Sequence, residues 1–194
     1  MQPFRGPWGW TYWNLTLAAV PMLLALVLFR RRVRTGVLWW AGVALFVMFL
    51  PNAPYVLTDI QHYAFDVDRF GRTTSMVRYA LLFAGGMAAY VIAMWRCTRF
   101  MIARGVAVGG VVVVNAFACA LCSVGVYLGR VHRLNSWDVV RAPESVAQAT
   151  YHALSSRAAL VGMAKVFAVI AIGALVGIVL LDAVAGLRRH RQSA

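Results

Sequence analysis

The sequence predicts an all-α fold: a polytopic membrane helical bundle of about five transmembrane helices, one integral membrane domain over residues 1–194, its N-terminus outside and its C-terminus cytoplasmic. Three observations predict it. The composition is 62% hydrophobic and 13% charged, against about 25% charged in soluble chains, and a soluble domain has no means of hiding that much apolar surface. Apolar runs recur at about 12–29, 37–57, 79–95, 106–129 and 158–181, each close to the roughly 20 residues a helix needs to cross a bilayer. Dense arginine blocks follow every second run: Arg30, Arg31, Arg32 and Arg34, then Arg96, Arg99 and Arg104, then Arg188, Arg189 and Arg191. The positive-inside rule makes that side cytoplasmic.

The other side also carries arginine, at Arg5, Arg69, Arg72, Arg78, Arg130, Arg133, Arg141 and Arg157, but dilutes it over longer segments that hold Asp59, Asp66, Asp68, Asp138 and Glu144. Density therefore sets the orientation. A net charge of +13 would point to nucleic acid in a soluble protein; here the cations flank apolar runs, so the bilayer is the expected partner and nucleic acid is not.

The first run is led by Trp8, Trp10, Tyr12 and Trp13, an interfacial belt, and its arginines follow the apolar core instead of preceding it, so it reads as a retained span and not a cleaved leader. The second run holds Pro51 and Pro54 near its end. If helix continues through them, the carbonyls of Val47 and Leu50 lose their helical donors and need other partners; if it breaks, Asn52 is an N-cap for a short helix with Pro54 in its first turn. In either case regular helical spacing puts Tyr55, Asp59, His62 and Asp66 on one face.

The fourth run contains Cys119 and Cys122, read as small packing side chains and not a redox or metal pair. Gly105 and Gly109, Gly125 and Gly129, and Gly173 and Gly177 give small faces for close helix approach and for a homo-oligomer. The fifth run carries Lys165 about two turns in, where an ammonium is either functional or snorkels to the surface. Two outer segments remain, 51–75 and 129–157. The second places Arg130 and Arg133 on one helical face, turns at Asn135-Ser136-Trp137-Asp138, and leads past Pro143 into a short interfacial helix.

The blocks PNAPY with TD and H, and GVYLGR with R and NSWD, resemble those of a family of small bacterial integral membrane proteins catalogued as a domain of unknown function. The resemblance runs from the second span to the last. It implies a multi-pass protein of the bacterial cytoplasmic membrane and singles out Pro51, Asn52, Ala53, Pro54, Tyr55, Thr58, Asp59 and His62, then Gly129, Arg130, Arg133, Asn135, Ser136, Trp137 and Asp138. It implies no activity.

Two accounts of these residues stand side by side. In the first, Asp59 and Asp138 pair with Arg130 and Arg133 and lock the two segments together. In the second they form a site for an anionic lipid headgroup or cell-envelope precursor. His62 is then the general acid or base, oriented by Asp59 or Asp138; Arg130 and Arg133 hold the anion, with Asn52, Tyr55, Thr58, Asn135, Ser136 and Lys165 around them. No metal is expected from Asp59, His62, His132 and Asp138, because no metal-ligand spacing is present and adjacent arginines oppose a cation. No cofactor is expected either.

The expected site is a shallow outer cavity floored by Lys165 and walled by Arg130, Arg133 and Asp138, with Asp59 within about 4 Å of Arg130 or Arg133. Asp59→Asn is expected to disturb function or assembly far more than Asp66→Asn. A small transporter or channel and a non-catalytic scaffold are the alternative functions. Transport is disfavoured by the apolar inner halves of the helices, where Asn115 is the main polar residue.

Overall fold

The structure, a computed structural model, describes residues 8–192, with side chains described to residue 186. Arg5 and the side chains of Arg188, Arg189 and Arg191 lie outside the described residues. Among the described residues the chain is helical throughout, with no strand: α1 Gly9–Leu28, α2 Val37–Phe49, α3 Asn52–Tyr55, a 3-10 helix Val56–His62, α4 Tyr63–Phe70, α5 Arg72–Ala103, α6 Val108–Val131, α7 Asp138–Arg141, α8 Pro143–Ser155 and α9 Arg157–Gln192. Five helical stretches are long and apolar enough to cross a membrane: α1, the run from α2 to α4, α5, α6, and α9 as far as Gly186.

The second stretch combines both sequence alternatives at its prolines. Leu50 and Pro51 keep right-handed helical dihedrals, so the axis continues, but α2 alone is 13 residues, about 20 Å at 1.5 Å per residue and too short to span. The Leu50 carbonyl, which Pro54 cannot serve, accepts from Ala53 N at 3.3 Å, and the Phe49 carbonyl accepts from Asn52 Nδ2 at 3.1 Å. Asn52 is therefore a bridge and not an N-cap. Beyond it, the segment expected as an outer loop is helical almost without interruption to Phe70, where Gly71, at φ 83°, reverses the chain into α5.

α5 lies at the centre, packed on α1, α3, α4, α6 and α9. The main core gathers Ala18, Ala25, Leu50, Ala53, Leu82, Tyr90 and Met94 around it. Close approach of the motif segment to α5 requires Gly86: a Cβ there would run into the Val56 side chain and sit 2.6 Å from the Ala53 carbonyl oxygen. Other glycines do similar work within the chain. Gly125 faces Pro51, Gly129 faces Tyr55, Gly173 faces Met87 and Gly177 faces Val91, while Gly109 has open space. Four of the six small residues picked out for helix approach thus serve the chain's own packing.

At one end of the bundle the two arginine loops meet, Arg104 Nη2 donating to the Val33 carbonyl at 2.6 Å. At the other end the two motif segments meet.

Candidate functional site

The joint between the motifs is an ion pair. Asp59, 4% exposed, presents Oδ1 to Arg130 Nη1 at 3.3 Å and accepts at Oδ2 a 2.8 Å hydrogen bond from Asn14 Nδ2. The 3-10 helix, α6 and α1 are thereby held together by one carboxylate. The same guanidinium donates to Gln61 Oε1 at 3.0 Å and meets His62 Nε2 at 3.1 Å. Guanidinium offers only donors, so Nε2 is the acceptor. Asp59 and His62, three residues apart, are eclipsed in a 3-10 helix and reach Arg130 from the same side. His62 is thus oriented by Arg130 and, among the described residues, by neither Asp59 nor Asp138.

A second bridge joins Asn52 Nδ2 to Ser136 Oγ at 2.9 Å across 84 residues. Thr58 is turned to its own backbone, donating to the Tyr55 carbonyl at 2.7 Å. Asp138 leaves the expected site as well: its Oδ2 accepts from Asn135 N at 2.6 Å and closes the Asn135–Asp138 turn. Arg133 ends α6 in a left-handed conformation, φ 56°, the only non-glycine residue with positive φ among those described. It is exposed, and its side chain has no hydrogen bond or ion pair among the described residues.

The 3-10 helix takes Tyr55, and not Asp66, off the expected shared face. At about 120° per residue, against about 100° in α-helix, Tyr55 and Asp59 are roughly 120° apart, whereas Asp59 and His62 eclipse and Asp66, four α-helical residues on, stays within about 40° of them. Asp66 nevertheless has its own partner: it is 5% exposed and pairs with Arg78, fully buried at the start of α5, at 3.3 Å. Tyr79 Oη donates to the same carboxylate oxygen at 2.9 Å, Thr11 Oγ1 accepts from Arg78 Nε at 3.4 Å, and the guanidinium lies 4.9 Å over the Trp10 ring. Neither Arg78 nor this pairing is evident from the sequence, since Arg78 falls just before the third apolar run. Its signal is faint: an acid and a base on either side of Gly71.

The two segments roof a cavity of about 1130 Å³. Asn52, Tyr55, Gln61, His62, Arg130, Arg133, Asn135 and Ser136 form its polar rim; Leu17, Ala44, Val47, Met48, Leu121, Val124 and Leu128 line its depth. From Arg130 to Leu121 the α6 wall descends roughly 13 Å. α2 packs on α1 and makes no extensive contact with α6, so the groove between them stays unfilled by the chain. Lys165 does not floor this cavity. It is exposed on α9 and absent from the lining, as is Asp138. The cavity is also deeper than the shallow basin expected.

Residues 13–172 match the family described as protein of unknown function (DUF1361). The chain belongs to the DUF1361 family. No curated protein and no solved structure matches it. The DUF1361 match includes both motif segments, every residue of the Asp59–Arg130 joint, and the cavity rim.

The chemistry open to this DUF1361 protein follows from its donors. Among the described residues no three of His, Cys, Asp and Glu come together as a metal set, and His132 packs its ring against Tyr127 instead of approaching Asp59. The rim offers arginine, amide and hydroxyl groups, which suit an anionic oxygen-rich group. Ser136 shares its hydroxyl with Asn52, and the His62 Nε2 lone pair is engaged by Arg130. This arrangement holds an anion more readily than it activates a nucleophile.

Proposed function

We propose that this DUF1361 protein binds an anionic membrane lipid or lipid-linked envelope precursor, headgroup in the rim and tail in the groove between α2 and α6, on the extracytoplasmic side of the membrane. The observation that carries the reading is the gradient within one cavity: cationic and amide groups at its mouth, aliphatic side chains through its depth. An amphiphile matches both parts, whereas a soluble anion leaves the depth unused and a neutral hydrocarbon leaves the rim unpartnered. The dense arginine blocks at the opposite end support the orientation through the positive-inside rule.

Thermal unfolding of the purified protein in neutral detergent tests the reading. Titrated anionic phospholipid should raise the midpoint by several degrees, since a ligand at 100 times its Kd stabilises by about 2.7 kcal/mol. A soluble headgroup analogue without a tail should raise it far less. Equal effects of lipid and tailless analogue, or none from either, contradict the proposal.

A further inference from the structure

We infer that the cavity selects a headgroup with one net negative charge, a phosphodiester, and that Arg133 is the residue that reads it. The inference rests on the amphiphile reading and adds its charge specificity.

Two of the arginines at this end are matched one to one: Arg130 by Asp59 and Arg78 by Asp66, each at 3.3 Å. Arg133 has no such partner among the described residues, yet it lines the cavity. Arg130 and Arg133 are the charged residues of the lining, which contains no carboxylate. Asp138, the nearest acid along the chain, is off the lining and directed at Asn135 N. One uncompensated, permanently charged cation therefore faces the cavity, and it balances one anionic charge.

The backbone gives an independent reason. α6 ends on a left-handed residue, a position that favours glycine or asparagine, because a Cβ there costs about 1–2 kcal/mol. This chain holds Arg133 there at φ 56°, so the end of the helix is better served by a different residue than the one present. Strain retained beside a cavity, on the side chain that lines it, marks a functional position. Neutral Asn52, Asn135 and Ser136 around it can serve further headgroup oxygens without adding charge.

The shared chemistry is a phosphodiester monoanion on an apolar tail, from either a glycerophospholipid or a polyprenyl-linked sugar phosphate. Arg133→Gly tests it, since glycine fits the left-handed position and the variant should unfold no earlier than the wild type. Binding of matched-chain phosphatidylglycerol, phosphatidylcholine and phosphatidic acid, and of a polyprenyl phosphate sugar diester, is measured by native mass spectrometry competition. The wild type should favour a diester monoanion over phosphatidylcholine by about tenfold or more, the scale of one charge-assisted hydrogen bond, with phosphatidic acid no better. Whichever diester wins identifies the source. Arg133→Gly should bring the ratio to near one while keeping lipid bound. No lipid bound by the wild type sinks the amphiphile reading itself. Lipid bound with no preference for charge, tenfold tighter phosphatidic acid, or an Arg133→Gly ratio equal to wild type overturns the charge inference alone.

Discussion

Single residues at this end of the molecule divide into those that hold the fold and those left over. Arg78 is fully buried and depends on Asp66 for its charge balance, with the Trp10 face and Thr11 as lesser support. Removing one member of such a pair strands the other, at about 3–5 kcal/mol. Arg130 is 19% exposed and keeps Gln61 and His62 when Asp59 is lost, so that loss should cost less, about 2 kcal/mol, the scale of one lost hydrogen-bond partner. Asp66→Asn is therefore predicted to lower the unfolding midpoint more than Asp59→Asn, whatever their order in function or assembly. Parallel melts of the two variants test the midpoint order. The sequence places Asp66 further out in a loop because nothing in it announces that the segment stays helical to Phe70 and packs that carboxylate against α5.

At the scale of elements, the contact that seats the motif segment is its approach to α5 at Gly86. Alanine there collides with Val56 and the Ala53 carbonyl, and overpacking of this kind costs about 1–3 kcal/mol. Gly86→Ala should destabilise by that amount and weaken lipid binding with it, whereas Gly109→Ala, with open space around it, should melt like the wild type. A melt of Gly86→Ala that matches wild type would show that the segment is not seated as described. The apolar runs make the helices legible in the sequence because length and hydropathy suffice to define a span. They leave rotation undefined. α9 is apolar nearly all round, so its sequence does not say which face meets α5 and α6, and Lys165, expected beneath the site, faces away from it. The Asp59–Arg130 pairing was accessible because few charges interrupt the chain near its spans and each needs a partner.

For the whole molecule, the proposal needs the cavity to be occupied and the motif end to face outward. Orientation is checked with single cysteines, since Cys97, Cys119 and Cys122 are buried. Val140→Cys, at an exposed position on α7, should react with a membrane-impermeant thiol reagent on intact cells, and Arg32→Cys at the opposite end should react only after lysis; the inverse pattern reverses the assigned topology. Occupancy is tested most directly by filling the groove. Ala44 is an exposed residue of α2 that lines the cavity, and Ala44→Trp puts an indole where the tail is proposed to lie without disturbing the buried core. Native mass spectrometry of both proteins, purified identically, should find an anionic phospholipid or lipid-linked precursor retained by the wild type and lost from Ala44→Trp at an unchanged melting temperature. Equal retention by the two proteins would contradict the account, because the lipid would then be bound somewhere other than this cavity.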